Sequence, residues 1–144
     1  MDTKRIIALL KETPLFANTT EKNLESMIKS AVQKTVSPGD KVVQEGQGGV
    51  GFYLILDGKA EVIKDGTKLA ELGTGNFFGE LAVIDGQPRT ADVIAVTETK
   101  CWILSQWAMK SVIANHPEVA LNMLEELARR LRTTDATRAV TGVA

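Results

Sequence analysis

Between Gly39 and Gly86 the chain is cut into short apolar runs by glycine, and this punctuation leaves room for little except β structure. Phe52-Tyr53-Leu54-Ile55-Leu56 and Ala60-Glu61-Val62-Ile63 are joined by Asp57-Gly58, and Asp65-Gly66 joins the next pair of runs. Asp-Gly tolerates the positive φ angles of the tightest hairpin turns, so both junctions read as hairpins. Pro38-Gly39-Asp40 is a turn. The strands then run Lys41 to Glu45, Phe52 to Leu56, Lys59 to Lys64, Lys68 to Leu72, Ala91 to Val96 and Thr99 to Leu104. Strands this short, at this spacing, predict an antiparallel sandwich or barrel.

Helical patterns flank this region. Ile6, Ile7, Leu9 and Leu10 form a stripe over residues 3–12 that Pro14 stops. Thr20 caps a second helix carrying Leu24, Met27, Ile28 and Val32, with Asn23 as a weak capping-box partner. Helical periodicity returns at Ser105 with Trp107, Val112 and Ile113, and Pro117 fits the first turn of a final helix. That helix carries Ala120, Leu124, Leu127 and Leu131 and is expected to end near Thr133, leaving a polar tail. Its four-three-four stripe is either a dimer seam or the face packed on the barrel, and at about two heptads it is short for a coiled coil.

Composition narrows the function. The 144 residues are enough for one domain, with 44% hydrophobic and 24% charged residues. Net charge −1 argues against a protein-wide surface for nucleic acid. The single cysteine, Cys101, excludes an internal disulfide, Cys-rich zinc or iron-sulfur framework and is read as inert. With His116 the only histidine, and placed at a helix start, His-based catalysis and His-rich metal sites lose their material. No apolar run approaches the roughly 18 residues of a membrane span, so the expected setting is cytoplasmic.

The chemistry concentrates in Phe77-Phe78-Gly79-Glu80-Leu81-Ala82-Val83-Ile84-Asp85-Gly86-Gln87-Pro88-Arg89-Thr90-Ala91. Gly79-Glu80-Leu81-Ala82 reads as the first turn of a short helix, whose free N–H groups attract an anion. Arg89, after a Pro-fixed turn at the start of a strand, is placed to return and grip a phosphate from the pocket mouth. Glu80 is an acceptor beside an anion site and suits a hydroxyl such as that of a ribose. Taken singly, Arg89 is a surface ion-pair residue and Glu80 a solvated helix-start acid. The combination, with six residues between Ala82 and Arg89, changes that reading.

This stretch resembles the phosphate-binding cassette of cyclic-nucleotide-binding domains, and the likeness runs from about Leu10 to Thr134. The last helix, with Ala128-Arg129-Arg130-Leu131, looks most like that of bacterial catabolite activators; the cassette spacing looks closer to kinase regulatory subunits. The resemblance implies a mainly β fold with flanking α-helices: a double-stranded β-helix, or jelly-roll, barrel with N-terminal helices and a long C-terminal helix. Residues 1–144 then form one domain: helices over 1–33, barrel over 34–104 with the cassette at 77–91, helices over 105–134 and a tail over 135–144. It implies that Arg89 pairs with a cyclic phosphate and Glu80 accepts from the ribose 2′-hydroxyl. Gly79, Leu81, Ala82 and Ala91 would lie against the ligand, and Thr90 would offer its hydroxyl to the phosphate or to a guanine amine. Thr134 and Asp135 fall where activators place contacts to the purine. Leu72, Val83 and Ile84 line the pocket or belong to plain core, and Phe77, Phe78, Trp102 and Trp107 are filler. Arg129, Arg130 and Arg132 read as cations favoured at a helix C-terminus.

The expected function is a non-catalytic sensor for a cyclic mononucleotide, cAMP ahead of cGMP, with no further cofactor. A metal-dependent cupin on a related fold lacks the His and carboxylate cluster it needs. A ligand-free interaction domain would have left Glu80 and Arg89 free to drift. Direct DNA binding needs two more helices of about 11 residues each, and residues 134–144 carry no apolar periodicity. The expected partners are the nucleotide, a regulated protein and, weakly, a second copy through the last helix; the alternatives are a ligand-free interaction domain of the same fold or a sensor fragment of a larger regulator.

Overall fold

A computed structural model describes residues 3–47, 51–86 and 89–141, with the side chains of 81–83 and 134–141 outside that description. Helices α1 (Thr3–Glu12) and α2 (Glu21–Lys29) precede strands β1 (Val32–Val36), β2 (Lys41–Val43), β3 (Gly51–Asp57), β4 (Lys59–Lys64), β5 (Thr67–Gly73) and β6 (Phe77–Phe78). A short helix α3 (Glu80–Asp85) leads to β7 (Asp92–Ala95) and β8 (Thr99–Ser105), then to α4 (Gln106–Asn115) and α5 (Pro117–Thr141). The strands pair antiparallel in two sheets, ordered β1-β8-β3-β6 and β2-β7-β4-β5. This is the jelly roll flanked by helices. Among the described residues, no helix is long and apolar enough to cross a membrane.

The two Asp-Gly junctions do different things. Asp65 and Gly66, at φ 51° and 75°, make a true hairpin between β4 and β5. Asp57-Gly58 does not: β3 pairs with β8 and β6, while β4 pairs with β5 and β7. Gly58 instead carries the chain from one sheet to the other, at φ 106°, with a Cβ there only 2.5 Å from the Glu98 carbonyl oxygen. The hairpin expectation at 57–58 is therefore corrected to a sheet-to-sheet crossing.

β3 alternates between two cores. Phe52, Leu54 and Leu56 face the helices with Ile6, Leu10, Phe16 and Trp102, while Tyr53 and Ile55 face the second sheet with Val43, Val93 and Ile103. Phe52 centres the helical side: it meets Phe16 and Trp102 edge-on at 5.6 and 6.4 Å and stacks on Phe77 at 5.5 Å. Such pairs contribute about 0.5–1.5 kcal/mol each beyond buried area. Val32, expected in α2, belongs to β1 and is exposed; α2 ends at Lys29, and Ser30 caps it.

Cys101 is fully buried on the barrel side, and desolvation pushes its thiol up to about 11, with Lys34 opposing weakly. Thiol reagents at neutral pH should therefore label Cys101 only as fast as the domain opens. Fold stability should fall as pH rises from about 9 towards 11, because the unfolded thiol ionises first. Rapid labelling of the folded chain would contradict this.

α5 packs through Val119 and Met123, and its buried Asn122 donates to the Leu15 carbonyl at 3.1 Å. The expected stripe is split: Leu124 and Leu131 are 63% and 65% exposed, while Ala120 and Leu127 are half-buried. Leu124→Glu should consequently change stability by no more than about 0.5 kcal/mol. Its melting curve should overlay that of the unmodified chain, and an early collapse of the helical signal would show a buried role. The helix also continues to Thr141 instead of stopping near Thr133.

Candidate functional site: an arginine pocket at the barrel and the long helix

Arg89 is pinned first by its backbone. Its N–H donates to the Gln47 carbonyl and its own carbonyl accepts from the Gly46 N–H, both at 2.9 Å. Three residues on, Asp92 accepts from the Glu45 N–H at 2.6 Å and pairs with Lys41 at 3.2 Å. The turn after β2 thus fixes the residues that lead into β7. Those contacts hold the Asp92 carboxyl below the usual carboxylate range, the Glu45 hydrogen bond most of all.

The side chain then turns inward. The Arg89 Nη2 donates to the Gly51 carbonyl at 2.8 Å, and its guanidinium carbon lies 5.5 Å from the Tyr53 ring centroid. The residue is only 9% exposed, so the expectation of a guanidinium at a pocket mouth is corrected. It is buried because the Gly51 carbonyl and the Tyr53 face draw it under the start of β3. Its Nε has no hydrogen-bond partner among the described residues. Desolvation pulls its pKa down, with Tyr53 and Glu80 opposing; a guanidinium stays charged regardless. Burial likewise pushes the Tyr53 hydroxyl up, against the pull of Arg89.

Gly79 lies directly against this group. Its φ is +90°, and a Cβ there would sit 2.5 Å from both the Arg89 Nη1 and the Gly51 carbonyl oxygen. Only a residue without a side chain fits. The preceding Phe77 and Phe78 stack on Phe52 and Tyr53, from opposite faces of β3, and so fix where Gly79 stands. Glu80 opens α3, is 7% exposed, and pairs with Arg130 of α5. Arg130 also bonds Glu126 through Nε at 3.4 Å. Burial acts to lower the Arg130 pKa, but the two carboxylates outweigh it and raise it. A cavity of about 260 Å³ adjoins Arg89, lined by Val42, Val43, Tyr53, Ile103, Lys34 and Gln47 among others.

Gly79, Glu80 and Arg89 are thus brought together. Leu72 packs, half-buried, on the barrel-side core. Thr90 is exposed and Ala91 half-buried. Leu81, Ala82 and Val83 lie in α3 and Thr134 and Asp135 in α5, with side chains outside the described residues. Sequence reasoning missed two participants, Tyr53 and Arg130. Arg130 stood in plain view in the basic run, but placing the helix end near Thr133 made that run read as a C-terminal cluster. Since α5 reaches Thr141, Arg130 is interior to the helix and its charge is answered by Glu80 and Glu126 instead.

Residues 33–116 match the family model for the cyclic nucleotide-binding domain. The chain belongs to the cyclic nucleotide-binding domain family. Within the family it is 31% identical, over 129 residues, to a cGMP-dependent protein kinase of Plasmodium berghei, an alignment covering 89% of this chain and 14% of that protein. It is 34% identical over 116 residues to a CRP-like cAMP-activated global transcriptional regulator of Mycobacterium tuberculosis, covering 74% and 52%. Among solved structures, the Thermus thermophilus catabolite activator protein superposes with a TM-score of 0.81 at 28% identity, covering 90% of this chain and 63% of that one. The chain thus spans about half or less of the length of these two curated relatives.

Proposed function

We propose that this domain is a sensor for a cyclic purine mononucleotide, cAMP in preference to cGMP, working inside the cell as a regulatory module. The observation that carries the reading is the buried Arg89 guanidinium. Its carbonyl and ring contacts do not neutralise it, and Glu80, the carboxylate acting on it, is itself paired with Arg130. A buried cation left in that condition is costly, and an anion relieves it. The single negative charge of a cyclic phosphate suits one guanidinium, with the N–H groups after Gly79 as further donors. Glu80 would accept from the ribose 2′-hydroxyl, the Leu72 and Val83 region would cover the sugar and base, and Thr90 would reach the phosphate. The preference for cAMP is supported by the activator-like last helix, where Thr134 lies one turn beyond Arg130 and Asp135 follows. The reading includes no direct DNA contact by this domain, and a monomer or weak homodimer through the exposed stripe of α5.

Calorimetric titration of one sample with cAMP, cGMP and a cyclic dinucleotide tests it. Ligand at 100 times its dissociation constant should stabilise the fold by about 2.7 kcal/mol, a melting shift of about 5–11 °C. No shift with millimolar cAMP or cGMP sinks the sensor reading.

Glu80→Gln keeps the shape and removes the charge. The bond to the hydroxyl should weaken by about 1–2 kcal/mol, roughly 5- to 30-fold in affinity. Arg130 keeps Glu126, so folding should persist. A 2′-deoxy ligand should bind wild type and variant about equally; a strong 2′-hydroxyl preference surviving in the variant means that Glu80 is not its partner.

A further inference from the structure

We infer that Glu126 is a positioning residue for ligand recognition by Glu80, acting through Arg130 across the junction of α5 and α3; the inference rests on the nucleotide reading above. Arg130 is a long side chain, 41% exposed, and a guanidinium of that kind ordinarily samples many rotamers. Two of its contacts set its direction. Its Nε donates to the Glu126 Oε1 one helical turn back, and its Nη1 donates to the Glu80 Oε1. Because the guanidinium is planar, fixing Nε fixes the direction of Nη1. Glu126 is itself immobilised: its side chain is only 14% exposed, and its other oxygen, Oε2, accepts from Arg129. The Glu-before-Arg order at i,i+4 is the favourable one on a helix.

The consequence falls on Glu80. With its Oε1 taken by Arg130, the carboxylate is restrained, and among the described residues Oε2 is the oxygen left for a ligand hydroxyl. Two positive side chains of α5 and two carboxylates alternate from Arg129 to Glu126 to Arg130 to Glu80. Without Glu126, Arg130 keeps its pair with Glu80 but loses the Nε contact that sets the direction of its guanidinium plane, and Glu80 presents its second oxygen less sharply. Glu126 never touches the ligand in this scheme. What it controls is how sharply the domain distinguishes a ribose from a deoxyribose.

The experiment measures cAMP and 2′-deoxy-cAMP affinities for the full chain and for Glu126→Ala, Glu126→Gln, Arg130→Ala and the Glu126→Ala/Arg130→Ala double variant, each checked for a native melting curve. Glu126→Ala should lower the ratio of the two affinities about threefold to tenfold, the lower part of the range of coupling between residues in one polar network. The loss should fall on cAMP alone. Glu126→Gln, whose amide oxygen still accepts from Nε, should recover part of the ratio. Arg130→Ala should lower the ratio too, and adding Glu126→Ala to it should change nothing further. A purely structural role in α5 would weaken both ligands equally and would persist without Arg130; either result overturns the inference, as does an unchanged ratio. Failure of the wild-type chain to bind cAMP at all overturns the nucleotide reading and this inference with it, whereas normal binding with an unmoved ratio overturns this inference alone.

Discussion

Arg89→Ala is expected to lower cyclic-nucleotide affinity by about 30- to 3,000-fold while leaving a folded domain. Truncating one side of a buried charge pair costs about 2–5 kcal/mol, and each 1.4 kcal/mol is tenfold. The loss stops short of total because the N–H groups after Gly79 remain. Folding is expected to persist for a specific reason. Glu80 is paired with Arg130, so deleting Arg89 strands no buried carboxylate. The Gly51 carbonyl does lose its donor, at about 1–3 kcal/mol, but a poorly compensated buried cation disappears at the same time. The two effects oppose, and the ligand-free melting temperature should move little. Calorimetry and a thermal melt on the same sample read both quantities. Affinity within about threefold of wild type would mean that another cation reads the phosphate, with Lys34 at the same cavity the first to examine. A chain that no longer folds would make Arg89 a structural residue.

Gly79→Ala should damage stability and binding together. A non-glycine residue at φ +90° carries about 1–3 kcal/mol of strain. Its Cβ would also press on the Gly51 carbonyl oxygen and on Arg89, both at 2.5 Å. The carbonyl is backbone of β3, fixed by its pairing with β8, so it yields only at the cost of overpacking, about another 1–3 kcal/mol. Together these approach the whole stability of a marginal domain. Gly39→Ala is the matched control: φ is +86° but nothing lies within 4 Å, so it carries the strain without the contact. Urea unfolding should show Gly79→Ala losing more than Gly39→Ala, and only Gly79→Ala should displace Arg89 and weaken binding. Equal losses would show that the close approach of Gly79 to Arg89 has no energetic weight.

What was legible in the chain was what local chemistry decides. Asp65-Gly66 names its turn because both residues take positive φ, and Gly79, Glu80 and Arg89 stand close together in the fold as they do in the chain, their proposed binding roles resting on the family resemblance. Asp57-Gly58 carries the same two letters and does something else, because which strand β3 pairs with depends on β8, more than forty residues away. β1 was missed for a related reason. Four of its five residues are exposed, so no alternation marks it; its pairing with β8 makes it a strand. Arg130 was misread through an error of helix length. A frayed end and a continuing helix look alike in a stretch of Thr, Asp and Ala, and the role of a charged run changes with where the end is placed.

The alternation of β3 reaches beyond packing. One strand supplies both the wall against which the helices rest and the wall of the chamber beside Arg89, and the paired rings of Phe52–Phe77 and Tyr53–Phe78 sit back to back across it, next to Gly79. That makes the sheet a diaphragm one strand thick. A load on α1 or α4 and a molecule seated in the barrel press on opposite sides of the same membrane-thin wall, with no intervening layer to absorb the displacement. Linkage makes such an arrangement two-way: whatever a body docked on the helices does to affinity inside the barrel, occupancy of the barrel does in equal measure to the docked body.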